Sequence, residues 1–206
     1  TYFSIFLACA AHSLQLQGGE VAFSPRGEDD RTAEVLAAVK NDRMLRFENG
    51  EYHFRSPSKL KYFISNHDNP QPHKVFLPLT NVTNLTFAGN DVRFVFHGEG
   101  IGMTVMDARR VTVKGISFEW VRPAFSEARV RKVLNNGIVL KYDNSIFPMS
   151  AIKGKLFAVG EGRSTQVRIA SLFDGDSLKP IIGRWTIGRA ARVRKDEVTI
   201  SKKKKK

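Results

Sequence analysis

Two short stretches of the 206-residue sequence concentrate side chains able to do chemistry. In Tyr62-Phe-Ile-Ser-Asn-His-Asp-Asn-Pro70, apolar Phe63 and Ile64 suit a strand end, and Ser65, Asn66, His67, Asp68 and Asn69 then project from a loop. Amide, imidazole and carboxylate groups hydrogen-bond sugar hydroxyls, and His67 or Asp68 can move a proton. Asn, Asp and Pro are also turn formers for backbone reasons, so a capped turn explains the same residues without chemistry. The second stretch is Phe118-Glu-Trp-Val-Arg-Pro-Ala-Phe125. A Trp120 face suits the C–H surface of a pyranose ring, Glu119 can act as acid, base or hydroxyl acceptor, and Arg122 can pair with Glu119 or hold a ligand oxygen. The plain alternative is a strand edge with Trp120 packed and a surface Glu119–Arg122 pair worth little.

Other motifs point less sharply. His97 closes the strand-like Phe94-Val-Phe-His-Gly98, where a single imidazole suits a structural role. Gly98-Glu-Gly-Ile-Gly102 lacks the strand–helix setting of a dinucleotide site. The five histidines show no metal-ligand spacing, and neither metal nor cofactor is expected. Asn81-Val-Thr83 and Asn84-Leu-Thr86 match a glycosylation pattern but read better as turn residues.

The elements that must position these groups are almost all strands. Asp29-Asp30 before Arg31-Thr-Ala-Glu-Val-Leu-Ala-Ala-Val39 predicts one short amphipathic helix over 30–41, capped by Asp, with Val35, Leu36 and Val39 on its apolar face. Short β-branched and aromatic runs then follow at Leu45–Phe47, Tyr52–Phe54, Val75–Leu79, Asn84–Phe87, Val92–Phe96, Val111–Val113 and Ile116–Phe118. Leu85-Thr-Phe-Ala-Gly89 repeats as Val111-Thr-Val-Lys-Gly115 at an offset of 26. A period in the twenties built of strands and turns marks a parallel β-solenoid, with the helix capping the first coil. From about Ala124 the texture changes. Ala128–Leu134 and Ile138–Tyr142 flank Asn135-Asn136-Gly137, an antiparallel hairpin signal. Residues 124–201 therefore read as a small antiparallel sheet or barrel inserted into, or appended to, the solenoid.

Composition sets the limits. Apolar residues are 42% and charged residues 26%, a globular balance that excludes wholesale disorder. Lys+Arg is 33 against Asp+Glu 20, for a net charge of +13, but five of those lysines are Lys202–Lys206. The remaining basic residues are scattered among strands without an aromatic platform, which argues against a nucleic-acid partner. A single cysteine, Cys9, excludes an intrachain disulfide. Residues 1–11 resemble the apolar core and cleavage zone of a secretory signal, with Ala8-Cys9-Ala10 as an A-x-A site and Leu7-Ala-Cys9 as a weak lipoprotein signal through which Cys9 would carry lipid. The start at Thr1 suggests a fragment.

Taken in order, the Asp-Asp helix, Phe47-Glu-Asn-Gly-Glu-Tyr-His-Phe54, Tyr62–Asn69, Asn84-Leu-Thr-Phe-Ala-Gly89, Phe94–Gly98 and Phe118-Glu-Trp-Val-Arg-Pro123 resemble the N-terminal part of the bacterial α-1,3-galactosidases of glycoside hydrolase family 110. The resemblance covers about residues 20–123. Beyond it, Leu172-Phe-Asp-Gly-Asp-Ser-Leu-Lys-Pro180 is similar to the family's inserted β domain. It implies an all-β fold: a right-handed parallel β-helix of the pectin-lyase kind with a short capping helix and an inserted small antiparallel β-barrel. It also implies secretion to the periplasm or outer surface of a gut- or marine-type bacterium. The implied activity is exo-hydrolysis of terminal α-1,3-linked galactose with inversion and without metal. The acid and base are expected beyond residue 206, which would leave this fragment inactive alone. Asn66, His67, Asp68, Glu119, Trp120 and Arg122 are the candidate substrate-binding residues. The partner is then an oligosaccharide or glycoconjugate with terminal galactose, and a homo-oligomer is compatible with it. Two other readings stand beside this one: a different β-helix polysaccharide hydrolase or lyase, and a non-catalytic glycan-binding β-helix.

Overall fold

The computed structural model describes residues 19–58, 61–62, 72–123 and 125–202. The chain divides into two compact units, residues 1–94 with 100–118, and residues 95–99 with 119–206. The first runs through β1 (Glu20–Phe23), α1 (Thr32–Ala38), β2 (Arg43–Phe47), β3 (Gly50–Phe54), β4 (Lys61–Tyr62), β5 (His73–Thr80), β6 (Thr83–Phe96), β7 (Ile101–Met106) and β8 (Arg109–Trp120), the last residues of β6 and β8 falling in the second unit. Parallel pairing dominates it. Val21 lies beside Leu45 and Leu45 beside Phe87 in β1, β2 and β6, β8 pairs with β6, and β5 lies parallel to β7.

The register shows in three ladders. Phe23 stacks on Phe47 at 4.8 Å between ring centroids, and Phe47 on Phe87 at 5.8 Å. Phe94 meets Phe47 and Phe54, and beyond them Phe118. At the turns, Asp42, Asn84 and Arg110 all take positive φ, between 51° and 54°. The Asn84 amide donates to Asp42 Oδ1 at 2.5 Å, and Arg110 Nε donates to Asn84 Oδ1. Asp42 and Asn84 are 42 residues apart, whereas Asn84 and Arg110 are 26 apart. The 26-residue repeat is thus the step from β6 to β8, and the longer preceding step takes in residues 59–71. Asn81 and Asn84, both at positive φ, serve the turns for which the sequence favoured them.

Several boundaries differ from expectation. The helix stops at Ala38, where Val39 turns extended at ψ 105°, so it is shorter than 30–41. Its buried face is Thr32, Val35 and Ala38. Arg31 occupies the cap position, and Asp30, one residue earlier, accepts from Thr32 N at 3.0 Å and Thr32 Oγ1 at 2.6 Å. The runs expected as separate strands at 84–87 and 92–96 join in β6, and those at 111–113 and 116–118 join in β8. No described helix is long and apolar enough to cross a membrane.

The second unit is antiparallel throughout its described pairings. It contains β9 (Arg129–Leu134), β10 (Gly137–Lys141), β11 (Met149–Ile152), β12 (Lys155–Gly160), β13 (Arg163–Val167), β14 (Ile169–Phe173), β15 (Pro180–Arg194) and β16 (Glu197–Lys202). One sheet has the order β14-β15-β16-β10-β9 and another the order β11-β12-β13. The predicted hairpin forms, with Gly137 opposite Leu134. Ile138, Leu140, Tyr142, Met149, Leu156, Trp185, Val198 and Ile200 make its core.

Candidate functional site

The densest polar cluster of the second unit gathers the turn after Phe96, the residues after Trp120 and the tip of the β12–β13 hairpin. Phe94, Val95 and Phe96 are all buried at the end of β6, and His97 follows directly after the strand. Two glycines bracket the hairpin tip: Gly160 at φ 145° and Gly162 at φ 72°, with Glu161 between them at φ 52°. Glycine reaches such angles without a Cβ penalty, and here it lets the chain fold back so that Glu161 faces His97. Glu161 Oε1 lies 3.0 Å from His97 Nδ1, and Oε2 accepts the Gly98 N–H. An ion pair, Arg163 to Glu99 at 2.5 Å, ties the same two segments.

Arg122 completes the cluster and is 4% exposed. Its Nε donates to Val159 O at 3.1 Å, Nη1 to Pro123 O and Phe125 O, and Nη2 to Ser126 Oγ at 2.6 Å. Four of the five guanidinium N–H groups are therefore committed inside the protein. The guanidinium also lies over the Phe147 ring, 5.8 Å from its centroid. Burial pushes both Arg122 and Arg163 below the usual arginine range, yet both remain cations. A Cβ on Gly160 would come within 3.0 Å of Arg122 Cγ, so glycine there also admits the buried arginine.

Among the residues singled out from the sequence, Glu119, Trp120 and Arg122 lie in this unit together with His97. Trp120 packs on Phe96 with ring centroids 5.1 Å apart, and Glu119 is exposed. The Arg122 guanidinium turns to main-chain carbonyls and Ser126, in place of the Glu119 pairing considered from the sequence. Asn66, His67 and Asp68 lie outside the described residues, as does Cys9. Glu161 and Arg163 were not anticipated: their signal is the Gly-Glu-Gly-Arg run, which reads from sequence as an ordinary hairpin turn. Chemically the cluster can orient an imidazole and fix a turn. Glu99 and Glu161 each already hold an internal cation or N–H, which suits bracing better than proton transfer. No group of His, Cys, Asp and Glu among the described residues has the arrangement of a metal site.

No protein-family model matches the chain. It is similar to several curated α-1,3-galactosidases. An α-1,3-galactosidase A of Shewanella woodyi is 33% identical over 187 residues, covering 84% of this chain and 30% of that protein. An α-1,3-galactosidase B of Phocaeicola vulgatus is 27% identical over 199 residues, covering 90% of this chain and 34% of that protein. An α-1,3-galactosidase B of Akkermansia muciniphila is 29% identical over 154 residues, covering 71% of this chain and 19% of that protein. The chain thus spans between about a fifth and a third of the length of these relatives. The resemblance read from the motifs holds as similarity to proteins named α-1,3-galactosidase.

Proposed function

We propose that this chain, a relative of the α-1,3-galactosidases, forms part of an exo-acting glycoside hydrolase that removes terminal α-1,3-linked galactose from glycans with inversion. The observation that carries the reading is similarity over 84–90% of the chain to proteins of that name. We further propose that the parallel strands belong to a right-handed β-helix, and that the antiparallel unit is its inserted barrel. The in-register aromatic ladder and the stacked Asp42, Asn84 and Arg110 support this. Val105, Val113 and Phe118 remain exposed on β7 and β8, as expected of a coil on which another would stack. Inversion requires two carboxyl groups roughly 6.5–9.5 Å apart with room for water. The resemblance to the α-1,3-galactosidases implies that this pair lies in the length of the relatives that this chain does not span. Asn66, His67, Asp68, Glu119 and Trp120 are then substrate-facing, and Arg122 is the support that positions the segment after Trp120. Secretion to the periplasm or outer surface, with or without lipid on Cys9, completes the reading.

The test is proton NMR of galactosyl-α-1,3-galactose incubated with the product of the full reading frame that encodes these residues. β-Galactose should appear first. α-Galactose as first product overturns inversion, and a folded protein that releases no galactose overturns the activity. Residues 1–206 alone should release none, and release by them would relocate the carboxylate pair into this chain.

A further inference from the structure

A groove of about 560 Å³ opens on the second unit, sharing with the cluster above only Phe147, over which Arg122 lies. Its walls combine two aromatic residues, the half-buried Phe147 and the buried Tyr142, with Glu127, Asp143, Asn144 and Asp196 and the cations Arg129 and Lys141. That volume lies within the range of small-ligand sites. The Phe147 ring is held in place: Arg122 covers it at 5.8 Å, and Phe125 lies beside it at 6.5 Å while remaining 63% exposed. The half-buried Phe147 ring thus offers the groove a fixed apolar surface.

The lining selects the ligand class. Three carboxylates face two cations, and one cation, Lys141, already lies 3.8 Å from Asp196. Phosphate, nucleotide or uronate ligands would meet net negative charge. A neutral, hydroxyl-rich ring meets what it needs: carboxylate and amide acceptors for its O–H groups, Asn144 and the cations as donors, and an aromatic face for its C–H surface. Asp143 is already anchored by Ser145 N at 2.8 Å and by the Ser145 hydroxyl, which fixes its carboxylate at the groove. We infer that this groove is a neutral-saccharide subsite on the antiparallel unit. It would hold a galactose-ended glycan. This deepens the galactosidase reading and rests on it for the identity of the sugar.

The test is titration of the 206-residue chain with galactosyl-α-1,3-galactose, followed by amide chemical shifts and calorimetry. Saturable shifts centred on residues 127–129 and 141–147 are expected. Asn144→Ala and Glu127→Gln, both at exposed or half-exposed positions, should each weaken binding about tenfold, with an unchanged thermal midpoint showing that the variants fold. Phe147→Leu should abolish the shifts. A digalacturonide should bind at least tenfold more weakly. The inference is overturned by absence of saturable binding, by binding that both polar variants leave intact, or by equal binding of the acidic disaccharide. Galactose release by the full reading frame is read separately, so failure of hydrolysis and failure of this subsite are distinguishable.

Discussion

At Asp30 one carboxylate oxygen organises two segments, accepting from Thr32 N, from the Thr32 hydroxyl and from Arg55 N at 3.0 Å. Burial works to raise its pKa, but the hydrogen bonds from Arg55, Thr32 and Ser56 outweigh it and hold the group down at about 2, against 3.8 for a free carboxyl. A depressed carboxylate contributes stability that is present above about pH 4 and is lost as pH falls through about 2. Asp30→Asn should therefore cost about 1 kcal/mol at neutral pH, the scale of a lost helix-start acceptor. The gap between wild type and variant in urea midpoint should narrow between pH 4 and pH 2, and a gap constant over that range would contradict the assignment. Glu161 makes a second residue-level case, because its two oxygens hold His97 and the Gly98 N–H. Glu161→Ala should speed hydrogen exchange at the Gly98 amide tenfold or more, and Glu161→Gln should do so less. Unchanged exchange in the alanine variant would show that other contacts fix the turn.

Among the elements, the β6–β8 step depends on backbones that almost touch. Gly89 and Gly115 occupy the same place in the two copies of the repeat, and a Cβ on Gly115, at φ 66°, would run into the Gly89 carbonyl. Gly115→Ala should destabilise by at least about 2 kcal/mol, combining backbone strain with a steric clash. Gly183→Ala, whose Cβ meets open space, should stay within about 0.5 kcal/mol. Chemical denaturation of both variants separates a stacking role from a mere glycine effect. The same pair shows what could be read beforehand: repeated Thr and Gly at a fixed spacing reveal stacking, because every coil must meet the same neighbour. What stayed hidden was non-local. β7 begins inside a glycine-rich run that carries no strand pattern, and a Cβ on Gly100, just before it, would come within 2.9 Å of Phe76 Cε2. Glu161 is separated from its partner His97 by 64 residues, so no local pattern could join them. Trp120 and Arg122 were legible as residues worth noting, but burial and carbonyl partners, which only the folded chain supplies, gave Arg122 its positioning part.

For the molecule as a whole, the +13 charge invites a polyanion partner, and the distribution of that charge decides against one. Within the described residues, many arginines meet a glutamate directly: Arg31 with Glu34, Arg46 with Glu20, Arg55 with Glu28, Arg93 with Glu51, and Arg163 with Glu99. Arg31 is buried, and the other pairs, nearer the surface, add little stability, but each cancels a charge that would otherwise face a phosphate backbone. The last acidic residue in the sequence is Glu197, so Lys202–Lys206 has no such neighbour along the chain. Without these five lysines the net charge is +8. Each phosphate neutralised on duplex DNA contributes about 0.9 to the slope of log affinity against log salt. Five lysines acting together should therefore supply a slope of about 4 to 5. Retention of the chain on DNA-cellulose should fall steeply with salt, and a chain shortened to Ser201 should elute near the starting buffer. Salt-sensitive retention that survives the truncation would mean that the folded units themselves present a cationic surface, and would reopen the acidic-glycan lyase reading that the carboxylate-lined groove argues against.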